Sequence, residues 1–270
     1  MPMKNNNSKH TNHSDSAEYL ARKAFFDQLV TVYGRKPVLE ILRDKQVKVF
    51  RLHLAASNRD SDIVKQIKQL AEDRSIETVY HSRNELSRIS RNGKQDQGVA
   101  CDIHCTGFAS YRDMLANFDS AANPNFSLIA VDGITNPQNL GMIIRTVTAS
   151  PMHGLLLPEK GSSDISPLVI KASAGTVFKG TIVRCDSLVE ALKAFQAKGF
   201  NICTLAAQNA QPLADYKLQQ PTIFVLGNES EGVSQAIVNL SDQLLSIPMA
   251  NGVESLNVAV TAALVAFRGS

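Results

Sequence analysis

Three short runs of this 270-residue chain gather residues that could do chemistry. They are Asp132–Arg145 (DGITNPQNLGMIIR), Gly227–Ser234 (GNESEGVS) and Ile247–Asn257 (IPMANGVESLN). In the first, Asn136 can cap a helix and Pro137 suits its first turn. Arg145 lies beside the small residues Gly141 and Thr148, which leaves room for a phosphate or carboxylate to reach its guanidinium; the plain alternative is a surface ion pair. The second run sets glycines among carboxylates, as a backbone wrapped around a small polar ligand would need. It has no Gly-Lys-Ser/Thr and no GxGxxG, so it is neither a P-loop nor a dinucleotide fingerprint. In the third, Gly252 frees the backbone, and Glu254, Ser255 and Asn257 cluster where a helix begins. A fourth candidate, Cys101 to Cys105 with His104 between, lacks a second Cys/His pair for tetrahedral zinc and reads as core strand, so no metal is expected.

Elements must hold those runs in place. SLIAVDG, HGLLLP, TIVRC, NICTLAA, TIFVLGN and LLSIPM are short apolar strands with helical segments between most of them. That alternation predicts an α/β fold with a mostly parallel sheet and helices on both faces, and ligands in such sheets bind beyond the carboxyl ends of strands. All three runs follow such ends. The last helix, Val258 to Phe267, is apolar all round and belongs in a core or an oligomer interface. Upstream, helix 37–43, strand 47–55, helix 62–72, strand 78–81, helix 84–90 and strand 98–105 make a small N-terminal α/β domain. The division expected is a polar tail and helix over 1–30, the small domain over 31–106, a linker over 107–125 and the large domain over 126–270. Within the first part, residues 1–16 form a polar tail and Ser16 caps a helix running from Ala17 to Val32.

Composition bounds the rest. The chain is 44% apolar, 20% charged and carries a net charge of +3. Residues 1–124 hold 19 Lys/Arg against 15 Asp/Glu, whereas 125–270 hold 9 against 10. A basic module on a near-neutral one suits RNA handling. Arg35, Lys36, Arg88 and Arg91 are candidate phosphate contacts. No apolar run is long enough to span a bilayer and no secretory signal is visible, so the cytoplasm is expected and no membrane partner. Four cysteines in a chain of this length do not make a disulfide framework.

The three runs, in this order, resemble the SpoU/TrmH family of RNA ribose 2′-O-methyltransferases: DGITNPQNLGMIIRTVTAS, IFVLGNESEGVS and IPMANGVESLNVAVTAALVAF, across residues 126–267. Upstream, YGRKPVLEIL and SRISRNGKQDQGVA resemble the substrate-binding domain that many members carry. The layout is similar to members that methylate a guanosine of 23S ribosomal RNA. The resemblance implies a trefoil knot in the C-terminal domain, a homodimer through that domain, and S-adenosylmethionine as methyl donor. Backbone near Gly227, Ile247 and Leu256 would hold the donor, and the strand end at Leu205 would flank its adenine. Arg145 would be a cation that binds the target phosphate and lowers the hydroxyl pKa, with base action as the alternative. Asn139 would orient that arginine or the ribose, Glu229 would hold Arg145 or the hydroxyl, and Ser255 and Asn257 would hold the third run and contact donor or ribose. Asp96 departs from the histidine many members have there, exchanging a possible RNA-contacting imidazole for a negative charge. Ribosomal RNA is the substrate expected. Transfer RNA, or a non-catalytic RNA-binding scaffold, are the alternatives.

Overall fold

The computed structural model describes residues 25–268, apart from 27, 46, 60, 106 and 207–209. The expected tail 1–16, the Ser16 cap and the start of the helix after it lie outside the described residues. That helix does not reach Val32. Leu29–Tyr33 is a strand, β1, whose sequence LVTVY buries alternate residues. It pairs antiparallel with β4 (Val99–His104), Leu29 opposite His104 and Tyr33 opposite Ala100. An apolar alternation with β-branched residues suits a pleated, half-buried strand better than a helix.

The first module orders its sheet β1-β4-β2-β3, with β2 at Val49–Ala55 and β3 at Glu77–His81. Helices α1 (Arg35–Arg43) and α2 (Asp62–Asp73) bury Val38, Leu42, Val64 and Ile67. Helix α3 (Arg83–Ser90) opens with a reciprocal capping box between Ser82 and Glu85. Its Leu86 joins Ala55 and Ala100 in a small separate cluster.

The second sheet has eight strands in the order β10-β12-β9-β11-β6-β7-β8-β5, and every pairing among the described residues is parallel. They are β5 (Phe108–Ser110), β6 (Ser127–Val131), β7 (Gly154–Pro158), β8 (Ile182–Cys185), β9 (Asn201–Leu205), β10 (Gln211–Pro212), β11 (Thr222–Leu226) and β12 (Gln243–Ser246). One core holds side chains of α5 (Pro137–Ala149), α6 (Pro167–Ala172) and α9 (Val258–Ala266). A second core holds those of α4 (Tyr111–Ala116), α7 (Leu188–Ala197) and α8 (Gln235–Val238). Helices thus cover both faces, as fully apolar parallel strands require. The segment 107–125 contributes β5, paired with β8, and α4, so it is part of the large sheet's architecture and not only a connector.

Strand order positions the candidate site. The chain leaves β6 toward β7 and β8 on one side, while β11, β9 and β12 fill the other. The carboxyl ends of β6 and β11 are therefore neighbours, with those of β9 and β12 beyond them. All three chemical runs emerge at this reversal of strand order, the place where open sheets bind ligands.

Candidate active site

The runs are fastened together by three side chains. Asn136 caps α5 by accepting from the backbone of Gln138 at 2.8 Å and, longer, from that of Asn139. This fixes the helix start and sets Asn139, which is buried, toward the second run. Asn139 Nδ2 donates to Glu229 Oε1 at 2.6 Å. Asn257 Nδ2 donates to the same Oε1 at 2.9 Å and to Asn139 Oδ1 at 3.1 Å. A carboxylate only accepts, so both amides must turn their nitrogens to it, and the triangle has one consistent orientation. Glu229 and Asn257 are exposed, so these bonds set the geometry of the runs more than they add stability. Asn257 also caps α9 by accepting from the Ala259 backbone at 2.9 Å.

The second run folds back on itself. A Cβ at Gly227 would overlap the Gly232 carbonyl, so the close approach admits only glycine. Asn228 Oδ1 accepts from the backbone of Ser230 at 2.9 Å and Glu231 at 2.7 Å. Asp132 Oδ2 accepts from the Ser234 backbone at 2.7 Å, tying the first run to the second. Asp132 and Asn228 were missed as site-building residues. Their signal was position, one and two residues past the ends of adjacent strands. The third run turns through Asn251 and Gly252, both with positive φ. Ser255 is exposed and its side chain makes no hydrogen bond among the described residues.

Gly227, Ile247 and Leu256 follow β11, follow β12 and precede α9. Among the described residues their backbone groups make no backbone hydrogen bond. Unused donors and acceptors at neighbouring strand ends suit a ligand held by main chain, and Leu205 ends β9 between them. A pocket of about 740 Å³ is lined by Ile247 and Pro248, with Leu213, Tyr216 and Leu218. Its far wall, Ser127 and Met152, lies at the amino ends of β6 and β7, so only one end of it meets this cradle.

Arg145 stands apart from the triangle. Six residues beyond Asn139, it is turned about 120° around the helix and displaced roughly 9 Å along it. It is exposed and has no hydrogen bond or ion pair among the described residues. Within this chain Glu229 therefore holds two asparagines and not Arg145, and Asn139 does not orient that arginine. The small residue Gly141 has a different reason too: a Cβ there would lie 2.5 Å from the Ala172 Cβ, so it lets α5 pack on α6.

In the first module Arg35 donates from Nε to the Gln97 carbonyl at 3.2 Å, and its backbone N–H meets Gln97 Oε1 at 3.2 Å. Arg35 thus pins a loop, while Lys36, Arg88 and Arg91 are exposed. Asp96 is buried and accepts from Ser90 Oγ at 2.9 Å and the Gly98 backbone at 2.8 Å. Its carboxylate is directed inward and adds no acidic contact to the surface. Cys101 and Cys105 are buried core residues, and burial pushes the Cys105 thiol up to about 12. Among the described residues no group of three His, Cys, Asp or Glu is placed to hold a metal, and no helix is long and apolar enough to cross a membrane.

Comparison with known proteins agrees with this architecture. The model of the SpoU rRNA Methylase family matches residues 127–267, and that of the RNA 2′-O ribose methyltransferase substrate-binding domain matches residues 31–105. A Mycolicibacterium smegmatis protein named an uncharacterized tRNA/rRNA methyltransferase is 35% identical over 244 residues, 90% of this chain and 76% of its own. A like-named protein of Mycolicibacterium vanbaalenii is 34% identical over 239 residues, 88% of this chain and 75% of its own. Among solved structures, the SpoU methyltransferase AviRb from Streptomyces viridochromogenes, in complex with AdoMet, superposes with a TM-score of 0.60 at 22% identity, covering 94% of this chain and 92% of AviRb. An AdoMet-bound rRNA methyltransferase from Sinorhizobium meliloti gives 0.60 at 20% identity, covering 94% and 89%. At these identities the two structures speak to the fold.

Proposed function

Because the chain belongs to the SpoU rRNA methylase family, we propose that this RNA methyltransferase moves the methyl group of S-adenosylmethionine to a ribose 2′-hydroxyl of 23S ribosomal RNA in the cytoplasm. The observation that carries the reading is the Asn139–Glu229–Asn257 triangle, which fixes three runs around unused backbone groups at adjacent strand ends. The donor, when bound, supplies a methyl carbon made electrophilic by its sulfonium. Backbone of Gly227, Ile247 and Leu256 would hold it, and Leu205 would flank its adenine. The same reading gives residues 126–267 the family's trefoil-knotted threading.

The chain's residues then have three tasks. The ribose hydroxyl would have to be held facing the donor's methyl group, which is a task of positioning. The triangle keeps the loops that hold the two reactants in register, and Ser255, free of other bonds, binds the ribose or the donor. The 2′-hydroxyl must lose its proton. A guanidinium spreads its charge over three nitrogens and gives up its proton too reluctantly to be a good base, so Arg145 acts as a cation on the neighbouring phosphate and eases that loss. Lys36, Arg88 and Arg91 add phosphate contacts on the first module.

The position of Arg145 supports a homodimer with a shared site. It shares the exposed side of α5 with Met142, 41% exposed, and α9 packed alongside exposes Val260, Leu264 and Phe267 at 49%, 45% and 44%. Residues three and four apart form one apolar stripe on a helix, and a water-exposed stripe of this size marks an interaction surface. A second copy seated on it would bring its own Arg145 toward this chain's triangle.

The test is methyl transfer from labelled S-adenosylmethionine to unmodified 23S ribosomal RNA and to transfer RNA, with wild type and Arg145→Ala, followed by nucleoside digestion. The expected result is label in ribose of 23S RNA, lost in the variant. Label in transfer RNA alone would reassign the substrate. Absence of both label and donor binding would leave an RNA-binding scaffold.

A further inference from the structure

The first module carries a buried relay that none of the foregoing uses. Thr31 Oγ1 donates to Asp102 Oδ1 at 2.7 Å. Asp102 Oδ2 lies 2.9 Å from His53 Nε2, and His53 Nδ1 lies 2.9 Å from His81 Nε2. His53 is 5% exposed, whereas His81 is partly open. Protons can be assigned along the row. Burial works to raise the Asp102 carboxyl, but hydrogen bonds from His53 and Thr31 outweigh it and keep it ionised at neutral pH. A carboxylate only accepts, so His53 presents Nε2–H to it. The lone pair of a neutral His53 is then on Nδ1, and His81 must supply Nε2–H. That leaves the lone pair of His81 on Nδ1. This atom has no partner among the described residues and is not among the buried unsatisfied atoms, so it opens to solvent.

The relay ends at one end of the first sheet. Ala55 pairs with His81, Leu54 with Val99 and Tyr33 with Ala100. His81 therefore lies at the end of the sheet where Arg35 and Lys36 begin α1 and where the Gln97–Gly98 loop enters β4. We infer that His81 Nδ1 is a hydrogen-bond acceptor for an RNA donor group, a 2′-hydroxyl or a base N–H, with its polarity set by Asp102 through His53. This rests on the reading that the first module holds RNA. A neutral acceptor of fixed direction favours donors over phosphates, and the 2′-hydroxyl is the donor that distinguishes RNA from DNA.

The charges around His81 support its neutral state. Burial lowers its pKa below 6.5, a proton arriving on His53 in acid would repel a second one on His81, Arg51 acts in the same direction, and Glu85 opposes them. Arg51 is itself paired with Glu77 at 2.8 Å. A folded-state pKa below the unfolded value means that acid favours unfolding here, so stability from this group is lost as pH falls through 6.5. On the same descent a proton occupies Nδ1 and the acceptor disappears.

Asp102→Asn tests the inference in the full-length protein. An asparagine that turns its amide to His53 makes Nε2 the acceptor, Nδ1 the donor, and so reverses His81 as well. Asp102→Asn and His81→Ala should each weaken binding of an unmodified 23S RNA transcript by about fivefold to tenfold, with S-adenosylhomocysteine binding unchanged. Wild-type RNA affinity should fall between pH 7 and 5.5 more steeply than that of His81→Ala. In the wild-type chain, nitrogen NMR at pH 7.5 should show His81 Nδ1 unprotonated. Protonated Nδ1 would overturn the inference, as would wild-type RNA affinity in both variants while Lys36→Glu weakens binding. If Lys36→Glu and Arg91→Glu also bind like wild type, the RNA-holding reading of the module fails, and this inference with it.

Discussion

Glu229 accepts both amide donors on one oxygen, which makes Asn257 the residue whose substitutions separate folding from catalysis. Asn257→Asp keeps an acceptor for the Ala259 backbone but loses the donor and faces Glu229 with a like charge. Its melting temperature should stay close to wild type, because exposed charges interact weakly, while kcat/KM should fall about a hundredfold through misplacement of the third run. Asn257→Ala should show the same kinetic loss and an additional cost of about 1 kcal/mol from the missing cap, read by denaturant unfolding. Full activity in Asn257→Asp would show that the triangle is dispensable. Another residue-scale expectation concerns the thiols. All four cysteines are buried, and burial pushes Cys105 and Cys185 up to about 12 and Cys203 up to about 11. A thiol reagent at pH 8 should leave them unreacted in the native chain within minutes and modify all four once it is unfolded.

At the scale of elements, α5 depends on a glycine that a helix would ordinarily avoid. Alanine at an open helical position gains about 1 kcal/mol over glycine. At Gly141 the added methyl would meet the Ala172 Cβ at 2.5 Å and the Val169 carbonyl at 2.7 Å. Gly141→Ala should therefore destabilise the protein by about 1–3 kcal/mol, and an increased denaturation midpoint would refute the packing account. Most elements were legible because their periodicity is local: helix 62–72 is observed as Asp62–Asp73, and strand 78–81 as Glu77–His81. The helix expected through Val32 failed at β1 because a strand is settled by its partner. Tyr33 meets Ala100 across the fold, which no local window contains. The final helix, expected in a core or an oligomer interface, buries Val258, Ala262 and Val265 in the core and leaves Leu264 and Phe267 exposed.

For the whole molecule, the exposed stripe and the displaced Arg145 make one joint prediction. Leu264→Lys should convert a dimer to a folded monomer in sedimentation and reduce methyl transfer far more than S-adenosylhomocysteine binding. A dimeric Leu264→Lys with full activity would place the interface elsewhere. Mixing Arg145→Ala with Asn257→Ala tests the shared site directly. If each site takes Arg145 from its partner, mixed dimers hold one intact site, and activity should return to a sizeable fraction of wild type. If both residues serve one chain's site, every site in the mixture is defective and activity stays at the level of the single variants.

The sequence by itself determined the α/β architecture, the small N-terminal module and the three chemical runs, because apolar periodicity, caps and glycine turns are properties of neighbouring residues. It also supplied Asn139, Glu229 and Asn257 as candidates. Only the tertiary structure decided what they do together, since Glu229 binds residues 90 and 28 positions away and Asn139 meets Asn257 across 118. Helix phase turned Arg145 away from Asn139 and Gly141 toward α6. Loop packing turned Asp96 inward. Strand pairing aligned His53, His81 and Asp102 from three separate strands into one directed row. Such outcomes depend on where distant segments meet, and strand order and packing set those meetings, not the residues on either side of each position in the chain.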